Sequence, residues 1–190
     1  MVTLDDGNAC VRRYACEALG KITTKTATSE VINRLVSALG DDDEYIRMSA
    51  CRCLGEMSEK VATSQIINQL VIALEDGHVG VREHACEALG KIGKKAATKE
   101  VINRIISALR DNHEHVKMSA CRYLDKMNEK AATSDVINQL VIALEDESAG
   151  VRRYAYEALG KVGEQAASNE VIDRFLMALG HDHDDIGKYA

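Results

Sequence analysis

Residues 81–93 read VREHACEALGKIG, and residues 151–163 read VRRYAYEALGKVG. Met alone, the first stretch gathers Glu83, His84, Cys86 and Glu87 within five residues and suggests a metal or catalytic cluster. Its second copy replaces Glu83, His84 and Cys86, yet keeps Val, Arg, Ala, Glu-Ala-Leu-Gly and Lys in register. What persists is the apolar spacing of an amphipathic helix; what varies is its polar face. The repetition therefore decides the fold, and the period has to be found before any site is read.

The period is 35 residues. Val31-Ile32-Asn33 recurs as Ile66-Ile67-Asn68, at 101–103 and 136–138, and as Val171-Ile172-Asp173, with no insertion or deletion between copies. A second order lies above it. Residues 31–65 share 21 identities with 101–135, and 66–100 share 23 with 136–170, whereas the neighbours 31–65 and 66–100 share 15. Two kinds of unit alternate, so surface detail repeats every 70 residues.

Each unit predicts two helices. The first, about residues 29–39, opens at a Thr or Ser able to cap it (Thr28, Thr63, Thr98, Thr133, Ser168) and aligns Ile32, Leu35, Val36 and Leu39 on one stripe. A polar turn, 41–44 or 76–78, then offers an Asp cap to a second helix of about residues 44–57 with the stripe Ile46, Ala50, Leu54 and Met57. Thr23, Ser58, Gly93, Asn128 and Gly163 occupy the closing position, where Gly or Asn suits a left-handed final residue. Proline and tryptophan are absent and Phe175 is the one phenylalanine, which excludes an aromatic-lined pocket and favours helix throughout. A two-helix hairpin of this size cannot bury both stripes alone, so the expected fold is all-α: a single α-α superhelix, or solenoid, over 1–190, with a partial repeat at 1–30, full repeats at 31–65, 66–100, 101–135 and 136–170, and a partial one at 171–190. The array begins and stops inside a unit, which predicts either a segment of a longer array or head-to-tail self-association of helix 10–22 on helix 170–179 of another copy.

The spacing Asp-x5-Arg across the turn, at Asp6 to Arg12, Asp41 to Arg47, Asp76 to Arg82, Asp111 to Lys117 and Asp146 to Arg152, resembles the signature of HEAT repeats. Val-Arg-x-x-Ala-x-x-Ala-Leu-Gly at 81–90 and 151–160 is similar to the HEAT-like repeats named after phycobilisome lyases. The resemblance implies an armadillo-like stack in which Asp and Arg hydrogen-bond from unit to unit and the second helices line a concave binding face. Many HEAT units carry a proline in the first helix; this chain has none, and straighter first helices are expected.

The period also disposes of the opening cluster. Cys86 aligns with Cys16, Cys51 and Cys121 and with Tyr156, and reads as the flank of the core. Equivalent positions on stacked helices lie too far apart for a disulfide, and no C-x-x-C occurs, so reduced thiols and no metal are expected. HEAT-type di-iron enzymes carry repeated His-Glu pairs; here Glu83-His84 stands on one helix, in the reverse order. His78, His113, His115, His181 and His183 fall in turns, where ligands do not converge. No nucleophile with a base and no glycine-rich phosphate loop appears, so neither an enzyme nor a cofactor is expected.

Three columns of the second helices remain. Glu17, Arg52, Glu87, Arg122 and Glu157 alternate in charge, a ladder suited to choosing neighbours. Beside it run Arg13, Tyr14, Met48, Ser49, Glu83, His84, Met118, Ser119, Arg153 and Tyr154, rich in the residue types that anchor interfaces; a solvated helix face is the competing reading. Outward positions of these helices carry eight cations against five glutamates (Glu17, Glu56, Glu83, Glu87, Glu157), while the turns are acidic. The expectation is a scaffold binding a protein or peptide partner, an acidic one by charge. A net charge of −6 disfavours nucleic acid, and the chain holds no apolar run of membrane-spanning length and no signal-like N-terminus, so a soluble cytoplasmic protein is expected. An enzyme or enzyme subunit of the phycobilin-lyase-like class and a nucleic-acid-binding solenoid are the alternatives.

Overall fold

A computed structural model describes residues 4–23, 28–57, 62–127 and 133–166. Those residues are helical, without strands: α1 (Ala9–Thr23), α2 (Ser29–Ala38), α3 (Glu44–Glu56), α4 (Ser64–Ala73), α5 (Val79–Ile92), a 3-10 turn (Gly93–Ala96), α6 (Lys99–Ala108), α7 (Glu114–Met127), α8 (Ser134–Ala143) and α9 (Ala149–Ala166). They fall into two compact units, Met1–Ala96 and Ala97–Ala190. In the first, α3 lies between α1 and α5, and α2 and α4 each pack on the second helix of their own repeat; in the second, α7 packs on α9, with α6 on α7 and α8 on α9.

The helix starts follow the expected chemistry. Thr28, Thr63, Thr98 and Thr133 take extended backbone, and each hydroxyl accepts the backbone N–H three residues on, at 3.2 to 3.4 Å. Ser168 lies outside the described residues. At the second helices the expected Asp cap holds for α3, where Asp43 accepts from Tyr45 and Ile46. On α5 the cap is His78, whose Nδ1 accepts from Gly80 N–H at 3.2 Å. Asp76 is engaged elsewhere, because its carboxylate accepts from His78 N–H at 2.8 Å and bonds an arginine of the previous repeat.

The helix ends differ more from expectation. Gly93 closes α5 with φ +74° and ψ −145°, a conformation open to glycine alone rather than the left-handed one. Gly163 does not close its helix: α9 continues to Ala166. Thr23 is the last residue of α1, and Ser58 and Asn128 lie outside the described residues.

The core is the pair of stripes read from the sequence. Ile46, Ala50 and Leu54, Val81, Ala85 and Leu89, Val116, Ala120 and Leu124, and Val151, Ala155 and Leu159 are all buried. From the first helices Leu35, Leu70, Ile105 and Leu140 meet them. The Leu-Gly step ending the repeated motif has a packing reason: a Cβ on Gly55 would stand 2.6 Å from Ala88 Cα, so α3 and α5 approach at a distance that only glycine permits. Cys16, Cys51, Cys86 and Cys121 are fully buried, and Tyr156 in their column is buried too, so the position belongs to the core and not to its flank. All six thiols are free; Cys10 is exposed. Burial pushes Cys51 and Cys121 up to about 12. The Cys16 thiol is also raised, first by its hydrogen bond with the Cys53 thiol and then by burial.

Candidate interaction face

The turns fix how each second helix is rotated. In the first unit Arg12 forks onto Asp41, Nε to Oδ2 at 2.8 Å and Nη2 to Oδ1 at 2.9 Å, while its Nη1 donates to the Asp6 carbonyl at 2.8 Å. Arg47 repeats this one unit later, with Asp76 at 2.8 and 3.0 Å and the Asp41 carbonyl at 2.7 Å. In the second unit Lys117 bonds Asp146, and Arg152 donates to the Asp146 carbonyl at 2.8 Å. Each Asp also holds its own turn, accepting the N–H two residues on, as Asp41 does from Asp43 at 3.0 Å. The Asp–Arg pattern is thus a bond both within and between repeats, as the resemblance implied. The Arg12 hydrogen bond holds the Asp41 carboxyl below its usual range against the opposing effect of burial. At Asp76 burial pushes upward most strongly, but the Arg47 bond and the His78 N–H together hold it low.

With the rotation fixed, the outward columns can be placed. The charge ladder has its first rung at Arg52 and Glu17, 3.6 Å apart. Lys91 and Glu56 stand 3.8 Å apart beside it. In the second unit Arg153 faces Glu157 on its own helix at 3.8 Å, and Lys161 meets Asp125 at 2.7 Å. Asp125 is a carboxylate that the sequence count of this face left out.

The ten candidate interface residues are not equally open. Tyr14 is 63% exposed, with the Arg13 guanidinium 5.2 Å from its ring centre. Ser49 and Ser119, at 7% and 4%, are buried and offer a partner little. Met48 and Met118 are half-buried for a definite reason: a Cβ on Gly80 or Gly150 would stand 2.8 or 2.7 Å from the facing thioether, so each methionine fills the space a glycine leaves on the next repeat. Glu83 and His84 are half-buried, and His84 Nδ1 lies 2.8 Å from the Gly80 carbonyl. Tyr154, also half-buried, has Arg153 at 4.5 Å and Arg122 at 5.8 Å from its ring centre, both within cation–π range.

Sequence reading missed Tyr45, Ile72 and Ile142, all exposed. The Tyr45 ring lies tilted at 50° to that of His78, the capping histidine, with centres 6.5 Å apart. A signal existed for the isoleucines: each occupies a first-helix position where the alternate repeat type has Ser37 or Ser107. On α1, Val11 and Ile22 are 41% and 50% exposed, although their counterparts Ile46 and Met57 are buried. Helix 170–179, named as the partner in head-to-tail association, lies outside the described residues.

Among the described residues no three His, Cys, Asp or Glu side chains gather as a metal site requires, and no helix is long and apolar enough to cross a membrane. Two hollows among the described residues are open to solvent. One runs along the acidic turn from His113 to Ser148, and another lies between α6 and α8 beside Arg110 and Gln139, whose Nε and Oε1 are 2.7 Å apart.

The family profile for HEAT repeats matches residues 2–68 and 67–138, and that for the HEAT repeat associated with sister chromatid cohesion matches 132–159. No curated protein matches. Among solved structures the chain is similar to an engineered protein over 98% of its own length and 90% of that chain, with 17% identity and a TM-score of 0.69. It is similar over 98% of its length and 93% of that chain to a designed armadillo repeat protein in complex with the peptide (KR)4, with 17% identity and a TM-score of 0.65. It also matches 22% of a Kap121p mutant, over 98% of its own length, with 16% identity and a TM-score of 0.80. At these identities the likeness is one of fold: an all-helical repeat array of the armadillo and HEAT type.

Proposed function

The chain belongs to the HEAT repeat family, and on that premise we propose that it is a non-catalytic scaffold that binds a partner protein or peptide on the outward faces of its second helices. One observation carries the reading. Where the core stripe ends, the second helices present tyrosines with guanidinium groups against them, Tyr14 with Arg13 and Tyr154 with Arg122 and Arg153. Tyr and Arg are enriched among the few residues that dominate the energetics of most protein interfaces. The open hollows and the spread of polar groups along helix faces suit an extended partner better than an enclosed small molecule. The solved complex of a designed armadillo repeat protein with a peptide supports this use of the fold. The same reading keeps residues 1–190 as one array and places it in the cytoplasm, where six free thiols stay reduced.

The test is a comparison of partners captured by the wild-type chain and by Tyr14→Ala and Tyr154→Ala, with cross-linking to locate contacts. Both tyrosines lie outside the core stripe, so these variants should fold. Loss of capture by either variant, with cross-links on the second helices, is the expected result. Unchanged capture by both, with cross-links confined to the first helices, would overturn the choice of face.

A further inference from the structure

The two units differ in one property that their shared fold does not require. At the outward second-helix positions of residues 1–96, the four cations Arg13, Lys21, Arg52 and Lys91 are balanced by four glutamates. Among the described residues of 97–166, the four cations Arg122, Lys126, Arg153 and Lys161 at the matching positions are met by Glu157 and by Asp125, which stands where the first unit has glycines. Against the helix pair two repeats before, α3/α5, the excess arises by reversal of sign: Lys126 stands where α3 has Glu56, and Arg153 where α5 has Glu83, as Arg13 does on α1. The two carboxylates sit against Lys161 and Arg153. At the centre is Tyr154, with Arg153 and Arg122 at 4.5 and 5.8 Å from its ring centre, where α5 has His84 and α1 has Tyr14 with Arg13 alone among the described residues in cation–π range.

We propose that the α7/α9 face is the anchoring site for an acidic segment of a partner protein, whose Asp and Glu carboxylates engage Arg122, Lys126 and Arg153 around Tyr154. This deepens the scaffold reading and rests on it. Charge complementarity is the first argument: guanidinium groups bind carboxylates in forked geometry, and cations beside an aromatic ring on a helix surface are held in place before the partner arrives. Scale is the second. Arg122 and Lys126 are one turn apart, about 6 Å along α7, and neighbouring helices lie about 8–10 Å apart; a patch of that size takes two or three carboxylates of a short segment. A nucleic-acid strand fits worse, because its evenly spaced phosphates would meet the acidic turn residues Glu114, Glu145 and Glu147 beyond the patch. The balanced face of residues 1–96 lacks this preference.

Three fluorescent probes test the assignment by anisotropy on the full chain: a peptide of alternating Glu and Asp, its Gln and Asn counterpart, and an oligothymidylate of equal charge. The acidic peptide should bind, with affinity falling as salt rises, and the neutral peptide should not. Arg122→Glu with Arg153→Glu should weaken the acidic peptide tenfold or more while leaving the circular dichroism spectrum unchanged. The converse variant, Glu56→Lys with Glu83→Arg, places the second unit's charges on the first and should add a second equivalent of bound peptide. Acidic-peptide binding that ignores the charge-reversed arginines would overturn the proposal, as would oligothymidylate bound more tightly at the same residues. If the acidic peptide does not bind but partner capture still depends on Tyr14 or Tyr154, the charge assignment fails and the scaffold reading stands.

Discussion

Asp76 serves two repeats at once, because its carboxylate holds the N–H that opens its own turn and the guanidinium of Arg47 from the previous repeat. Asp76→Asn keeps the shape but loses the charge assistance on both bonds, and should lower the urea-unfolding free energy by about 1 kcal/mol. Asp41 and Asp76 both have folded-state values below their unfolded ones, near 3.9, so their contribution is complete above that value and is lost as pH falls through the folded value. The urea midpoint of the wild type should therefore fall as pH drops below about 4, and the double variant Asp41→Asn, Asp76→Asn should show a shallower fall. The thiols divide as sharply. In the native chain a maleimide at pH 7.5 should label Cys10, which is exposed, while Cys51 and Cys121, buried and raised to about 12, should label only after denaturation; peptide mapping by mass spectrometry reads the difference.

At the scale of the helix, two glycines of one motif position should respond in opposite directions. A Cβ on Gly55 would collide with the Ala88 backbone, so Gly55→Ala should cost about 1–3 kcal/mol as α3 and α5 are forced apart. Among the described residues nothing lies within 4 Å of a Cβ on Gly160, so Gly160→Ala should stabilise by up to about 1 kcal/mol through helix propensity alone. Denaturant midpoints of the two variants decide both. This contrast also marks how far the sequence could be read. Helix number, order and threonine caps were legible because capping and the 3.6-residue stripe are local chemistry, repeated often enough to remove chance. That Gly55 touches Ala88 was not legible, since the same Leu-Gly letters recur at Gly160, where none of the described residues comes near; contact depends on the neighbour. Met48 and Met118 were read as open surface for the same reason: the glycines that receive them lie 32 residues ahead in each case. His78 caps α5 because it stands at the position Asp43 holds in α3, two residues after a turn aspartate that is bonded to the previous repeat in both cases, Asp41 by Arg12 and Asp76 by Arg47.

At the scale of the molecule, stability passes through nearest neighbours. Within residues 1–96, α3 contacts α1 on one side and α5 on the other, and Leu54 is buried at its centre. Leu54→Ala should cost about 2–5 kcal/mol, and hydrogen exchange should quicken in α1 and α5 along with α3, since a stacked repeat loses an interface when its neighbour loosens. Exchange confined to α3 would show the helices to be more independent than their packing implies. The charge pattern of the second helices acts at this scale as well, because the same backbone carries a balanced face on residues 1–96 and a cationic one on 97–166.

The turn arginines also constrain how such a chain can change in length. Arg47 reaches the carbonyl six residues behind it and the carboxylate twenty-nine residues ahead, and these two reaches together make one period. Removing or adding a single residue between Arg47 and Asp76 misplaces one donor or the other, whereas a whole unit of 35 can be copied in or excised and every arginine still finds an aspartate. Growth of the array by gene duplication is thus quantised in units of 35, and pairs of units carry their distinct faces along intact.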